Sequence, residues 1–368
     1  MIDFIPVSEY AHYFDVTVLC MVLTAVWQCH TGSVLKKETV SLNAMWGVLF
    51  TLILILYMGL RPVSVYFGDT VNYAKGFYTA ANSCDPFSWQ WEGEWLFHNL
   101  MQWFAKYSDI HTFFLLCATV YIGSLWLAMQ RIFKEYYYIP FLVILSMFTF
   151  WSYGVNGIRN GMGASLFILA MTYVNRPPVM IGLCVLAAGI HKSIYLMVGA
   201  GTLTWFIKNS YWYLAGWGAC VGVSYAVGGR IQAYLAATNL MGGDNRFSGY
   251  LTGDNMVGEI VQMSMTFRWD FLLYSAMGVA VGYYFIFRRN FKDEYYHWIY
   301  NTFLVTNAFW VLVIRAAYSN RFAQISWFIM PVVIYPFMKE RFWVNHEKML
   351  GYALLTFYAF TFYFNIWK

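Results

Sequence analysis

Apolar runs long enough to cross a lipid bilayer recur along almost the whole chain, and they leave few folds open to it. About 17–25 apolar residues suffice for one helical crossing, and we place roughly twelve crossings on the sequence. They lie at about 13–29, 44–60, 111–130, 139–154, 160–174, 179–190, 194–207, 211–228, 270–287, 296–314, 322–338 and 349–366.

The low charge content supports this interpretation. Only 11% of the 368 residues are charged, whereas a soluble domain has about a quarter. The sequence therefore predicts an all-α, polytopic integral membrane protein. Three of its spans (160–174, 179–190 and 194–207) are short, which is typical of half-helices or re-entrant segments that line a cavity. No internal repeat divides the sequence, so we treat 1–368 as a single transmembrane domain.

Lys and Arg in the short loops predict which side faces the cytoplasm. One set of loops carries most of them, including Arg131 and Arg176, and we assign it to the cytoplasm. Two long loops, about 61–110 and 229–269, then lie outside. The first contains an amphipathic stretch at 96–107 that is typical of an interfacial helix. The second is rich in Gly, Asn and Asp, which favours a mobile lid.

Composition excludes several classes of function. A net charge of +5 gives no nucleic-acid signal, and the six cysteines have no Cys-x-x-Cys spacing that would indicate a disulfide framework or a zinc site. The outer segments contain no metal-ligand spacing, so we expect no metal. Thirty Tyr and seventeen Trp are suited to interfacial belts and to a surface that faces sugars or lipid headgroups.

Seven arginines remain on the outer side, where the positive-inside rule predicts few. Each of them could pair with an outer acidic residue or bind an anionic ligand. Three follow a distinctive local pattern, which favours a ligand for Arg61, Arg159 and Arg321. The other four are Arg230, Arg246, Arg268 and Arg315.

Arg159 lies in a polar interruption, 156–160, between two apolar runs. An ionisable residue at such a position is usually paired or functional. Asn156 is well placed to cap the helix that starts here, and Asn160 adds a second amide. A helix N-terminus and a full positive charge together favour a bound phosphate or pyrophosphate. Anchoring of Arg159 to lipid headgroups is the alternative.

A second pattern begins with Arg61 at the outer end of the second span, followed by Asp69 and Tyr73. Arg binds phosphate through two parallel hydrogen bonds. Asp69 is suited to act as a general base or to bind a sugar hydroxyl. It could instead be a turn residue after Gly68 or an ion-pair partner of Arg61.

Two further patterns lie on the predicted outer side. His191, Lys192 and Ser193 interrupt an apolar run, where His191 could transfer a proton near neutral pH and Lys192 could contact phosphate. Arg315 and Arg321 flank a short turn that includes Asn320.

At these residues the chain resembles the EpsG family of Wzy-like polymerases of bacterial exopolysaccharide and capsule synthesis. Asn160 stands where the family pattern usually has Gln. The motifs that match, in chain order, are Gly59-Leu60-Arg61, Gly68-Asp69-Thr70 with Asn72-Tyr73, Glu94 before an apolar-rich segment, Asn156-x-Ile158-Arg159, His191-x-Ser193 and Asn320-Arg321.

The resemblance implies an inner-membrane glycosyltransferase of GT-C-like architecture with its active site facing the periplasm. It would join oligosaccharide repeats carried on undecaprenyl pyrophosphate, need no cofactor, and work beside a flippase and a chain-length regulator. A flippase or transporter of the lipid-linked oligosaccharide, and a ligase of the O-antigen type, are the alternatives.

Together with the residue patterns above, the resemblance leads us to a hypothesis for the role of individual residues. Arg159 and Arg321 would hold the pyrophosphate, with Arg61 completing the site and Lys192 and Arg315 adding charge. Asp69 would be the general base, with Glu94 or His191 as alternatives. The expected substrate-binding residues are Asn156, Asn160, Tyr73, Ser193 and Asn320.

Overall fold

The computed structural model describes residues 2–237, 266–317, 319–330 and 334–367, and within them every regular element is a helix. The prediction of a helical membrane protein is therefore confirmed. Five helical segments in these residues are long and apolar enough to cross a membrane, which does not support the full set of twelve. They are Val7–His30, Lys37–Gly59, Ile110–Tyr136, Trp269–Arg288 and His346–Trp367.

The three spans that we expected to be short are confirmed as short apolar helices, Ile158–Met171, Pro177–Ile190 and Ile194–Phe206. The expected span at 139–154 is split into two helices, Tyr138–Leu145 and Phe150–Val155. Hydropathy averaged over the span hid this break, because only residues 146–149 separate the two helices and two of these four residues, Met147 and Phe148, are apolar.

The chain forms two compact units, Met1–Tyr195 with Phe337–Lys368 and Leu196–Pro336. Most of the predicted site residues belong to the first unit. Its main helices are α1 (Tyr10–His30), α2 (Lys37–Gly59), α3 (Thr70–Asn82), α4 (Trp95–Tyr107), α5 (Ile110–Phe133), α6 (Tyr138–Leu145), α7 (Phe150–Val155), α8 (Ile158–Met171) and α9 (Pro177–Ile190).

Helix packing in the first unit places the ends of four helices together. Helix α5 packs against α2 and α8, and α8 packs against α9. The C-terminal ends of α2 and α9 therefore lie at the same end of the unit as the N-terminal ends of α5 and α8. The long segment 61–110, with α3 and α4, covers that end. The stretch at 96–107 lies within α4.

The opposite end of the first unit is basic. Arg131, near the end of α5, donates a hydrogen bond to Thr172 Oγ1 at 2.8 Å, and its guanidinium lies 3.6 Å from the centre of the Tyr173 ring. Lys134 begins the 3₁₀-helix that follows α5, and Arg176 directly precedes α9. This end of the unit therefore carries loop residues that the sequence assigned to the cytoplasm.

The break between α6 and α7 is closed by side chains from the C-terminal segment. The Thr361 hydroxyl donates to the Ser146 carbonyl, and Asn365 Nδ2 donates to the Phe148 carbonyl at 3.1 Å. Carbonyl groups freed by a helix break in a membrane need such partners. Asp15 of α1 accepts a second hydrogen bond from Asn365 at 3.1 Å and so orients this amide.

The second unit contains the helices Ser210–Ala237, Trp269–Tyr283, Glu294–Leu312 and Ser319–Trp327, together with most of Ile194–Phe206. A buried polar network connects them. Asn307 donates to Ser275 Oγ at 3.0 Å and to Ser326 Oγ at 2.9 Å, and it accepts from Trp217 Nε1 at 2.8 Å. Most of the candidate lid at 229–269 lies outside the described residues.

Candidate active site

The centre of the candidate site is Glu94, a buried carboxylate immediately before α4. Its Oε2 accepts a hydrogen bond from the Arg159 guanidinium, and its Oε1 contacts Nδ1 of His191. The backbone N–H of Lys192 donates to the same Oε1 at 3.4 Å. One acidic side chain thus joins residues that are 65 and 97 positions away in the chain.

Local structure explains how the partners of Glu94 reach it. Arg159 lies in the first turn of α8, and His191 lies just after α9 in extended backbone. The two helices approach closely because Gly163 is small: a Cβ there would lie 2.8 Å from Ile194 and 3.2 Å from the Ala187 carbonyl oxygen. The close approach aligns the start of α8 with the end of α9.

Aromatic rings enclose the Arg159 guanidinium. The ring centres of Tyr73 on α3 and Phe97 on α4 each lie 5.7 Å from the guanidinium carbon of Arg159. The Tyr73 phenol oxygen also accepts a hydrogen bond from this guanidinium. The two rings contact each other edge to face at 5.6 Å. Burial raises the pKa of Tyr73, and the charge of Arg159 opposes this rise. Tyr73 therefore stays a neutral phenol beside the cation.

Glu94 remains ionised in this environment. Burial alone would raise the pKa of Glu94. The hydrogen bond and charge of His191 and the charge of Arg159 outweigh burial and lower this pKa to about 2. Its side chain is only 10% exposed, whereas those of Arg159 and His191 are 20% and 27% exposed. The carboxylate therefore lies beneath two basic groups that both reach the solvent.

Arg61 has a different environment from Arg159. It is 1% exposed, and its guanidinium donates to Met58 O, to Thr70 Oγ1 at 3.0 Å and to Val155 O at 3.2 Å. It also lies 4.6 Å from the centre of the Phe114 ring. These contacts join α2, α3 and α7, so the prediction that Arg61 completes the pyrophosphate site gains no support.

The prediction that Asn156 caps α8 is wrong. The N-cap residue of α8 is Gly157, without a side-chain cap, and Asn156 Oδ1 instead accepts from the backbone N–H of Asp69 at 2.8 Å. Gly68 makes this contact possible because its φ is +58° and a Cβ there would lie 2.5 Å from Asn156. Asp69 Oδ1 accepts from Asn72 at 3.1 Å.

The remaining predicted residues divide between the two units. In the first unit Lys192 is exposed beside His191, Ser193 is half-buried, and Asn160 is buried on α8. The others belong to the second unit: Arg315, whose guanidinium lies 5.3 Å from the Phe267 ring centre, and Asn320 and Arg321 in the first turn of Ser319–Trp327.

Sequence reasoning missed Phe97 as part of the site. It lies three residues after Glu94, one helical turn along α4, and this spacing places both side chains on one face. The signal was present in the sequence, but an aromatic residue in an amphipathic helix is ordinarily a packing residue.

Comparison with known proteins adds one finding to this geometry. The model of the EpsG family matches residues 44–368, a stretch that includes Tyr73, Glu94, Arg159 and His191. No curated protein and no solved structure matches the chain.

Proposed function

We propose that this chain, which belongs to the EpsG family, is a membrane glycosyltransferase that polymerises lipid-linked oligosaccharide repeats. Family membership indicates a polysaccharide-polymerase type of function. In the proposal the donor is the growing chain on undecaprenyl pyrophosphate, and the acceptor is a new lipid-linked repeat. The observation that supports it most is the Glu94 carboxylate bridging Arg159 and His191 at one end of the first unit.

Arg159 is suited to bind the leaving pyrophosphate. Negative charge grows on this group as its bond to the sugar breaks, and fixed donors that await that charge lower the barrier. The Arg159 guanidinium has five N–H donors, and Glu94 and Tyr73 accept hydrogen bonds from only some of them. Its side chain is 20% exposed, so the remaining donors are open to a ligand. The N-terminus of α8 adds partial positive charge beside it. This arrangement stabilises the leaving group without a metal ion.

His191 is better suited than Asp69 to act as the general base. Glu94 accepts from Nδ1, which fixes the ring and leaves Nε2 as the proton acceptor. The acceptor hydroxyl oxygen forms a bond to the anomeric carbon while its proton passes to Nε2. The bond from that carbon to pyrophosphate breaks, and its electron pair leaves with the pyrophosphate. Glu94, with a pKa of about 2, stays ionised and balances the imidazolium.

Other parts of the proposal rest on the sequence. Lys192, exposed beside His191, adds a point charge for phosphate. Asp69, Tyr73, Asn156, Asn160 and Ser193 contact the sugar or the carrier. Arg315, Asn320 and Arg321, which belong to the second unit, are assigned to substrate binding from the sequence alone.

The proposed cellular setting also rests on the family resemblance. The protein spans the inner membrane with further partly re-entrant helices in a GT-C-like architecture. Its active site faces the periplasm, and it works beside a flippase and a chain-length regulator.

The test uses purified protein with lipid-linked repeat as the only substrate. Wild-type protein should give a ladder of polymers, and Arg159→Ala should leave single repeats. Arg131→Ala, at the opposite end of the first unit, is the matched control and should keep the ladder. Long polymer from Arg159→Ala would show the assignment to be wrong.

The same reaction separates the alternatives. No product until a second acceptor is added would indicate a ligase, and transfer of the intact lipid-linked repeat across the bilayer without chemistry would indicate a transporter.

A further inference from the structure

Three tryptophans form an exposed aromatic cluster beside Glu94, which we call the tryptophan platform: Trp89, Trp91 and Trp95. Their ring centres are 5.5 Å apart for Trp89 and Trp91, 5.0 Å for Trp91 and Trp95, and 5.9 Å for Trp89 and Trp95. Trp91 is 72% exposed and Trp89 is 46% exposed. So much clustered aromatic surface in contact with solvent usually marks a binding surface.

The platform is held in a fixed position. Asn99, 1% exposed on α4, accepts from the backbone N–H of Gln90 at 2.9 Å and donates to its carbonyl at 2.6 Å. It also donates to the Trp95 carbonyl at 2.7 Å. Trp95 packs over Gly189, where a Cβ would lie 2.6 Å from the indole ring. Gln90 lies between the two exposed rings, and Asn99 binds both its N–H and its carbonyl. The loop is therefore preorganised, which lowers the entropy cost of binding.

The platform is continuous with the candidate site. Trp95 directly follows Glu94, and the Gly189 that supports its ring lies two residues before His191. Anything that stacks on the platform is therefore adjacent to the proposed general base.

The charge of this segment favours a glycan over a lipid surface. Residues 83–95 contain Asp85, Glu92 and Glu94 and no Lys or Arg. Segments that dock on anionic membranes are rich in Lys and Arg, and this segment contains neither. Sugars present C–H groups that stack on the electron-rich face of an aromatic ring, and hydroxyls that donate to carboxylates and amides.

We propose that the tryptophan platform is a subsite that binds a sugar ring of the oligosaccharide repeat beside the Glu94 site. The identity of that glycan as the substrate rests on the proposed function, but its binding to the platform requires no turnover. Trp91 carries most of the stacking surface, with Trp89 beside it, and Asn99 acts as a positioning residue.

The test is a fluorine NMR titration of full-length protein in lipid nanodiscs, with 5-fluorotryptophan at all seventeen positions. Trp91→Phe and Trp89→Phe assign the two resonances. The probe is the free oligosaccharide released by mild acid from lipid-linked repeat of the producing cell. The Trp89 and Trp91 signals should shift saturably. The signal of Trp27, which is 66% exposed at the opposite end of the unit, should not shift.

Variants give the matching affinity measurement. Trp91→Ala should weaken oligosaccharide binding about tenfold, which is the effect expected for one stacked aromatic ring, and Trp27→Ala should leave it unchanged. Both side chains are exposed, so thermal unfolding should match wild type in each case.

Two outcomes would overturn the proposal. In the first, nitroxide-labelled lipid broadens the Trp91 signal and oligosaccharide does not shift it. This result would mean that the cluster is a membrane anchor. The other is a protein that polymerises normally although the Trp91 signal never moves. A protein that binds oligosaccharide at Trp91 but makes no polymer would support the platform and count against the proposed function alone.

Discussion

Replacing Glu94 by Gln removes one charge from the candidate site and keeps the shape of the side chain. Gln accepts a hydrogen bond from Arg159 as Glu does, but it cannot balance the charge of the guanidinium. Arg159 and His191 contact different oxygens of Glu94, and Gln has an –NH₂ donor in place of one of them, so one of the two contacts is lost. The change therefore separates the charge of Glu94 from its packing, and we expect both stability and activity to fall.

The size of the stability effect follows from the pKa of Glu94. It falls from 4.5 to about 2 in the folded protein. Since one pKa unit corresponds to about 1.4 kcal/mol, the ionised carboxylate stabilises the fold by about 3 kcal/mol at neutral pH. Breaking a buried ion pair typically costs about 3–5 kcal/mol, which agrees. The 10% exposure of the Glu94 side chain limits screening by solvent.

Thermal unfolding of purified protein measures this effect. Glu92→Gln is the matched control, because it removes the same charge two residues away from an exposed side chain. At pH 7 Glu94→Gln should unfold well below wild type and Glu92→Gln should not. The folded pKa lies below the unfolded value, so the stabilisation is present above about pH 4.5 and is lost as the pH falls towards 2. The gap between wild type and Glu94→Gln should therefore close over this range.

The polymer ladder assay measures the catalytic effect. Without the carboxylate His191 loses its fixed orientation, and general base catalysis contributes about 10²- to 10⁴-fold. We expect a loss of that order per folded molecule. Glu94→Gln that unfolds with wild type at pH 7 would refute the ion-pair argument. Glu94→Gln that polymerises at the wild-type rate would refute the role of His191.

Three more predictions follow from the same end of the first unit. Asp69→Asn should retain most polymerase activity in the ladder assay, since we propose His191 as the base; a loss of two orders of magnitude or more would restore Asp69 as the base. Gly68→Ala should lower the unfolding temperature more than Gly93→Ala: both have positive φ, but only Gly68 faces a side chain within 4 Å, so equal losses would contradict the clash. Arg61→Met should destabilise the fold by about 1–3 kcal/mol, because Met58 O loses its donor, and wild-type stability in thermal unfolding would count against a structural role.

The sequence identified the members of the candidate site better than their partners. Arg159 and His191 each stood out as polar residues that interrupt apolar runs, and Glu94 stood out as part of the family motif. Their pairing was not predictable, since 65 and 97 residues separate Glu94 from its two partners. A hydropathy pattern gives the end of each helix, but packing decides which ends meet. For the same reason Asp69 was preferred as the base although the structure gives His191 the oriented ring.

The break within the expected span 139–154 was missed for a related reason. Hydropathy is a property of composition over a window, and it does not register a break in the backbone when the interrupting segment is as short as 146–149. The break between α6 and α7 is stable because Thr361 and Asn365 donate to its carbonyls from 215 and 217 residues away. No local pattern around residue 146 carries that information.

Arg61 and Arg159 show that a local sequence pattern does not determine the role of an arginine. Both follow an apolar run and lie beside a polar motif, so sequence reasoning gave them the same role. In the structure Arg61 is enclosed by Val155, Thr70 and Phe114, all supplied by other elements, and it serves three oxygen acceptors of the protein. Arg159 meets a carboxylate and a phenol through part of its donors, and 20% of its side chain stays exposed. In the proposed function its remaining donors are therefore open to a phosphate, whereas those of Arg61 are buried within the protein. Whether an arginine can bind a ligand thus depends on whether the fold leaves some of its donors at the surface, and distant residues determine this.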